Sequence, residues 1–498
     1  MKMTPHQMYH PFILFLFISF SLGSLSVSAT PVAANNPKFK PNIIFIMADD
    51  MGYGDIQAYN SDSKIDTPNL NQLAKQGMRF TDAHAPAGLC VQTRYGLLTG
   101  QYPFRTTLKE RTDPCIKEEQ LTLPGMLKKA GYDTAMLGKW HLGFVGGKDK
   151  ADYSQGLHGG PKDRGFDYFF GIPASLDIPP YYWIQNRKPL LAPTETIGDN
   201  FSDGWTRIQG AFWRKGRVAP GFVHAEVLPT ISRRANFFLD TRAQLPPKTR
   251  KPFFLYLPLP APHTPWLPGK RFTGKSNASM YGDFVMMVDD MVGQIMKRLE
   301  QHGMADDILL VFTSDNGPVW YPADTERLGH SSTGSLRGMK ADSYEGGHRV
   351  PFIVRWPSQT PASTVNEHLI CHTDMLATLA VLTGQEVPIG QAQDSINQSP
   401  LLFMPKLEEP PRNTLITSNN PKYFGVRMGQ WKMITGLGSG GFTQPRDLKP
   451  SEGGPTGQLF NLSEDLSETN NLWQKHPEIV KQLESILRQS KEAGKPQP

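Results

Sequence analysis

Oxygen-bearing side chains occur in pairs at two places in this sequence: Asp49–Asp50 closes "PNIIFIMADD", and Asp315–Asn316 closes "ILLVFTSDNG". One such pair alone is an ordinary turn or helix cap. Two pairs, each ending an apolar run, can converge on one point and offer only oxygens. That donor set suits a hard cation, calcium or magnesium, rather than zinc with its Cys and His ligands. Basic groups punctuate the chain in a similar way: Lys139 and His141 in "GKWHLG", His263 in "APHTPW" and Lys340 in "LRGMKADSYEGGHRVP". A cation ringed by Lys, Arg and His is what a tetrahedral oxyanion ester requires, because charge on the transferring group must be neutralised in the transition state. Cys90 stands at the head of a helical segment, "CVQTRYGLLTG", with Arg94 one turn on. A thiol at a helix N-terminus near a guanidinium is expected to have a depressed pKa and to be reactive. Soft sulfur nevertheless suits a hard metal badly, so the chemistry asks for an oxygen nucleophile where the sequence has a cysteine.

These groups need elements to hold them. "PNIIFIMADD", "KPFFLYLPLPAPH" and "ILLVFTSDNG" are apolar runs of strand length, as in buried parallel strands. "DTPNLNQLAKQGMRF" reads as a helix capped by Thr67, with Pro68 in its first turn and Leu70, Leu73 and Ala74 on one face. "YGDFVMMVDDMVGQIMKRLEQHG" is a long amphipathic helix turning Val285, Val288, Val292, Ile295 and Leu299 inward. Strand and helix alternate, which predicts an α/β domain with a large, mostly parallel sheet flanked by helices, and ligands gathered beyond the carboxyl ends of its strands. Residues from about 145 to 250 are rich in Gly, Pro and aromatics and read as a long excursion over that edge. After about residue 385, "YFGVRMGQWKMITG" and "GQLFNLSED" read as antiparallel strands, and "HPEIVKQLESILRQS" as a terminal amphipathic helix. The expected division is a signal peptide at 1–29, a catalytic α/β domain at 30–385 and a smaller α+β subdomain at 386–498.

Composition narrows the class. A chain of 498 residues with 39% hydrophobic and 20% charged residues is globular. The net charge of +6 comes without basic-aromatic runs, so nucleic acid is not an expected partner. "PFILFLFISFSLGSLSVSA" has the layout of a cleavable signal peptide ending at Ala29, which predicts an exported, periplasmic or extracellular protein without stable membrane insertion. Of three cysteines, Cys115 and Cys371 are free to pair as a disulfide or to remain two buried thiols.

The ordered set "PNIIFIMADDMGYGD", "CVQTRYGLLTG", "AMLGKWHLG", "RGFDYFFG", "PHTP", "TSDNG", "LRGMKADSYEGGHRVPFIVRWP" and "LFNLSEDLSETNNL" resembles the sulfatases, formylglycine-dependent hydrolases of the alkaline-phosphatase-like fold. The resemblance implies that a modification enzyme oxidises Cys90 to formylglycine, whose hydrate supplies the missing oxygen nucleophile. It further implies one calcium ion held by Asp49, Asp50, Asp315 and Asn316, with modified Cys90 also in contact. Arg94 and Lys139 would hold the diol, His141 would act on its second hydroxyl, and His263 and Lys340 would bind sulfate and assist the leaving oxygen. One departure stands out: the family pattern Cys-x-Pro-x-Arg or Cys-x-Ala-x-Arg is here Cys90-Val91-Gln92-Thr93-Arg94.

The family cleaves sulfate esters of aryl compounds, steroids and carbohydrates. "GIPASLDIPPYYWI" offers Asp177, Tyr181, Tyr182 and Trp183 for sugar stacking and hydroxyl bonding, or for core packing, and His330 is a candidate for the mouth of the site or for a surface loop. A sulfated carbohydrate is the expected substrate. The alternatives are a phosphoester or phosphonate hydrolase of the same superfamily and a non-catalytic binder of sulfated glycans.

Overall fold

The structure is a computed structural model and describes residue 1 and residues 40–493 apart from 111, 148–150 and 247. The expected signal peptide at 1–29 lies outside the described residues but for Met1. No helix among the described residues is long and apolar enough to cross a membrane.

A ten-stranded sheet forms the centre. In chain order its strands are β1 (Asn42–Asp49), β2 (Met78–Phe80), β3 (Asp133–Lys139), β4 (Tyr168–Ile172), β5 (Ile184–Gln185), β6 (Lys188–Pro189), β7 (Phe253–Pro262), β8 (Ile308–Ser314), β9 (Phe352–Arg355) and β10 (Thr364–Asn366). Their spatial order is β10-β2-β9-β8-β1-β7-β3-β4-β5-β6. The central run β8-β1-β7-β3-β4 is parallel throughout. Register is tight there, with Ile43 opposite both Phe254 and Leu309. Side chains alternate across the sheet: Ile44, Ile46 and Ala48 enter one apolar core, while Ile43, Phe45 and Met47 enter the other.

Helices α1 (Pro68–Gln76), α2 (Cys90–Thr99), α3 (Leu123–Lys129), α4 (Val227–Gln244) and α5 (Ser279–Gln301) cover the faces. The stripe expected for α5, Val285, Val288, Val292, Ile295 and Leu299, is buried against the first core together with α1 and α4. Helices α2 and α3 close the second. Thr67 stands at the cap position of α1, but its hydroxyl accepts the amide of Gln57 at 3.2 Å instead of capping the helix. The segment from 145 to 250 is no bare excursion. It supplies β4 to the sheet and α4 to its cover, because "YFFGI" and "VLPTISRRANFFLDTRAQ" have apolar faces to bury.

Backbone contact is close between β7, β3 and β4. Gly138 has φ +142°, and a Cβ built there would lie 2.0 Å from the carbonyl oxygen of Pro258; one built on Gly171 would lie 1.8 Å from that of Gly138. Only glycine fits these positions.

Past residue 385 a second, four-stranded antiparallel sheet is made by β11 (Thr414–Asn420), β12 (Tyr423–Met428), β13 (Trp431–Ile434) and β14 (Gln458–Asn461). Helix α6 (Pro477–Glu492) packs on it through Val480, Leu483 and Leu487. A buried ion cluster ties this sheet to the larger one: Lys432 Nζ lies 2.9 Å from Glu345 and 2.8 Å from Glu468. His84 and His348 adjoin it, their rings linked through Nδ1 at 3.0 Å. With Lys432, Arg349 and Arg427 already balancing the acids, this cluster is a structural joint. All three cysteines are free and buried, so Cys115 and Cys371 are two separate thiols.

Two stability measurements follow from this packing. Leu255→Ala, in the doubly covered β7, is expected to cost about 3 kcal/mol in chemical denaturation. His224, stacked on Trp213 at 4.6 Å, is pushed by burial down to about 4, so the fold holds it neutral. The unfolded chain binds that proton first, and its stability contribution, complete above pH 6.5, is lost as pH falls from 6.5 to about 4. His224→Phe, which keeps the stacked ring, is expected to flatten the fall of the denaturation midpoint across that window.

Candidate active site

Four adjacent parallel strands deliver the predicted groups to one place. β8 runs into Asp315 and Asn316, β1 ends at Asp49 with Asp50 the next residue, β7 runs into His263, and β3 ends at Lys139 with His141 two residues on. Asp50 has φ +63° and His141 has φ +60°, left-handed conformations that non-glycine residues rarely adopt and that concentrate at functional sites. Helix α2 brings its first residue, Cys90, and Arg94 in from the side, and the chain before the short helix Glu345–His348 brings Lys340.

The resulting contacts are close and almost dry. Lys139 Nζ lies 2.5 Å from Asp49 Oδ2. Arg94 Nη2 lies 2.8 Å from Asp315 Oδ2 and 3.6 Å from Asp49 Oδ2, bridging the two strand ends, while Arg94 Nη1 donates to the carbonyl of Lys139 at 3.0 Å. Asp315 also accepts the backbone N–H of Asp50 at 3.2 Å. Asn316 Nδ2 donates to Asp50 Oδ1 at 2.6 Å, and Lys340 Nζ lies 2.7 Å from Asp50 Oδ2. Cys90 Sγ is 3.4 Å from both Asp49 Oδ1 and Lys340 Nζ. His263 Nε2 is 3.6 Å from Asp50 Oδ2.

Asp49, Asp50, Cys90 and His263 each present a ligand atom within 4.8 Å of the others. Asn316 Oδ1 is buried and has no hydrogen-bond partner among the described residues. Carboxylates crowded with a spare amide oxygen fit a hard divalent cation, for which Asp49, Asp50, Asp315 and Asn316 are the candidate oxygen donors.

Electrostatics follow from burial. Desolvation opposes ionisation of Asp49, but Lys139, His263, Arg94 and Lys340 outweigh it and hold its carboxyl well below the usual range. Burial and then the charge of Asp49 push Asp315 up to about 6. Burial, reinforced by Lys139 and Arg94, pushes His141 well below its ordinary value, leaving a neutral imidazole whose Nδ1 has no hydrogen-bond partner among the described residues. The thiol of Cys90 departs from the sequence expectation. Burial, and then Asp315, raise it well above an ordinary cysteine, and Lys139 and Lys340 do not reverse this. The helix N-terminus and Arg94 therefore do not make a reactive thiolate, because the thiol is dry and faces carboxylates.

Above these groups opens a cavity of about 370 Å³, lined by Cys90, Gln92, His141, Asp177, His263 and Lys340 among others. Asp177 forms an ion pair with Arg214, and its Oδ1 lies 3.9 Å from His263 Nδ1. The other candidate substrate residues sit elsewhere. Tyr181 is buried under Phe222 and His224 and donates its hydroxyl to the carbonyl of Arg214 at 2.7 Å. Tyr182 is buried against Tyr153 and lines a smaller neighbouring cavity with Phe144 and Glu110. Trp183 stacks on Phe170 as core packing. His330 is neither on the mouth nor on a surface loop: it is buried with Nε2 3.0 Å from Asp55, because Asp55 needs a partner inside the fold. Sequence reasoning missed Arg214, Ile208, Val319 and Phe442, which also line the cavity; they carry no motif.

Residues 41–385 match the family model described as Sulfatase. This chain belongs to the sulfatase family. It is 33% identical over 496 residues to an N-acetylgalactosamine-6-O-sulfatase of Bacteroides thetaiotaomicron, covering 91% of this chain and 93% of that one. It is likewise 33% identical over 493 residues to the arylsulfatase A of Bos taurus, covering 93% and 90%. Among solved structures, one described under the metabolism of multiple glycosaminoglycans by Bacteroides thetaiotaomicron superposes with a TM-score of 0.79 at 32% identity, over 91% of this chain and 99% of that one. The sulfatase is accordingly a sulfuric ester hydrolase on an alkaline-phosphatase-like fold.

Asp177, half of the ion pair at the cavity wall, is expected to act on substrate affinity. Asp177→Ala should raise KM about tenfold and change kcat less, in steady-state sulfate release, since it removes one charged hydrogen-bonding group from the wall.

Proposed function

We propose that this sulfatase hydrolyses sulfate esters of a carbohydrate, with Cys90 converted to formylglycine as the source of the nucleophile and one calcium ion held by Asp49, Asp50, Asp315 and Asn316. The observation that carries the reading is the setting of Cys90. Its side chain reaches the floor of the cavity among carboxylates and Lys340, in surroundings that suppress a thiolate and favour a hydroxylated group. Formylglycine supplies, as its hydrate, an oxygen nucleophile, and the ion when bound offsets anionic charge.

The chain's own residues then divide the work. Arg94 and Lys139 balance Asp315 and Asp49, so that the carboxylates remain ionised for the cation. His141, held neutral, offers Nδ1 to accept a proton from the nucleophilic residue. His263, just past β7, and Lys340, in the loop before the short helix Glu345–His348, both line the cavity, and they place an imidazole and an ammonium where a sulfate and its leaving oxygen would sit. Asp177 and Arg214 supply polar groups for hydroxyls next to the ester. The catalytic unit is assigned to residues 30–385 with a subdomain at 386–498, and export through residues 1–29 would bring the enzyme to extracellular or periplasmic glycans. The name of the Bacteroides relative favours a 6-sulfated N-acetylgalactosamine as the first substrate to try.

The test is sulfate release from a panel of sulfated sugars, using native-host protein in which mass spectrometry of the Cys90 peptide shows the aldehyde or its hydrate. Cys90→Ala is expected to lower kcat by about 1000-fold or more. Dialysis against a chelator should remove activity and added calcium restore it. Full activity with an unmodified thiol at Cys90, or phenyl phosphonate turned over in preference to every sulfate, would overturn the reading.

A further inference from the structure

Asn419 belongs to the second sheet, yet its side chain ends between the two segments that carry Cys90 and Lys340. In β11 the register slips between Ser418, opposite Phe424, and Asn420, opposite Tyr423, so Asn419 is the extra residue of a β-bulge. Bulges re-aim a side chain, and they recur next to active sites. The amide of Asn419 is used at both ends. Its Nδ2 donates to the carbonyl of Ala341 at 2.8 Å and to that of Asp342 at 3.0 Å, while its Oδ1 accepts the backbone N–H of Gly88. Ala341 immediately follows Lys340, and Gly88 lies two residues before Cys90.

The two segments touch directly as well. Ala341 N–H donates to the carbonyl of Gly88 at 2.7 Å. They approach so closely that a Cβ on Gly88 would lie 3.1 Å from the nitrogen of Ala341. Ala341 has φ +70°, a conformation that costs an alanine energy and persists only when its surroundings impose it. Asn419, bonding the carbonyls of the two successive peptides that follow Ala341 and Asp342, is one imposing group. Asp342 is a second: it accepts the N–H of Phe442 at 2.7 Å and of Thr443 at 3.1 Å, both also from beyond residue 385.

We propose that Asn419 is a positioning residue of the sulfatase reaction, clamping the turn after Lys340 to the turn before Cys90 so that ammonium and nucleophile stay in contact. The inference rests on the functional reading of Lys340 and Cys90 given above. An amide is required, since only it donates to the carbonyls and accepts from the N–H at once. The small sheet thereby acts on catalysis without touching substrate.

The experiment compares Asn419→Ala, Asn419→Asp and Lys340→Ala with the parent, each normalised to its converted fraction of Cys90 by mass spectrometry. Asn419→Asp keeps the shape and the acceptor but loses both donors, and serves if the alanine variant does not fold. The substrates are nitrocatechol sulfate, with a good leaving group, and a sugar 6-sulfate, with a poor one. For the Asn419 variants kcat is expected to fall about tenfold on the sugar sulfate and about threefold or less on the aryl sulfate, with KM within threefold, because displacement of Lys340 hurts most where the leaving oxygen needs help. The thermal midpoint should stay within a few degrees. An unchanged kcat per converted site, or an equal loss on both substrates, overturns the clamp. Lys340→Ala reports separately on the underlying reading: if it shows no dependence on the leaving group, the role of Lys340 fails whatever Asn419 does.

Discussion

Carboxylates cannot be gathered in a dry place unless positive charge is gathered with them. Asp49, Asp50 and Asp315 stand at adjacent strand ends with essentially no exposure, and desolvation opposes the ionisation of Asp49 and Asp315. Arg94, Lys139 and Lys340 come from a helix, a strand and a loop to oppose this, each with a contact shorter than 3 Å. The balance is uneven: Asp49 is held well below the usual range by its cationic partners, while burial and the charge of Asp49 push Asp315 up to about 6. The neutral imidazole of His141 and the suppressed thiol of Cys90 follow from the same burial, with the neighbouring charges adding to it.

The parallel sheet makes the crowding possible. Four neighbouring strands that end at one edge can each release a polar residue at the same height, and their interiors are apolar enough to fix register. The left-handed backbones of Asp50 and His141 show that the chain bends sharply there to turn both side chains inward.

Much of this was legible in one dimension. Asp49, Asp50, Asp315, Asn316, Lys139 and His263 follow apolar runs, so strand logic alone places them together. Cys90 and Arg94 share a helix, as their spacing implies. The reactivity of the thiol was misread, because burial is a property of the assembled fold and outweighs the local helix terminus. His330 was misplaced, and Tyr181 was left between substrate contact and core packing, for a related reason: a polar residue in a loop-like segment gives no sign of whether Asp55 or a backbone carbonyl waits for it inside. Arg214 and Asn419 were invisible, since each reaches the site from a strand or loop whose neighbours in sequence lie elsewhere.

The glycines at 138 and 171 carry a different lesson. They stand one residue and one strand away from Lys139, and they are charged with nothing except being small: each lets a neighbouring carbonyl occupy the room where a methyl group would be. An alanine at either would wedge β3 away from β7 or β4 and shift an ammonium that itself remains intact. Genetic variation can therefore silence such a hydrolase while every motif letter is spared, and a comparison confined to ligands and bases would pass the defective copy as sound.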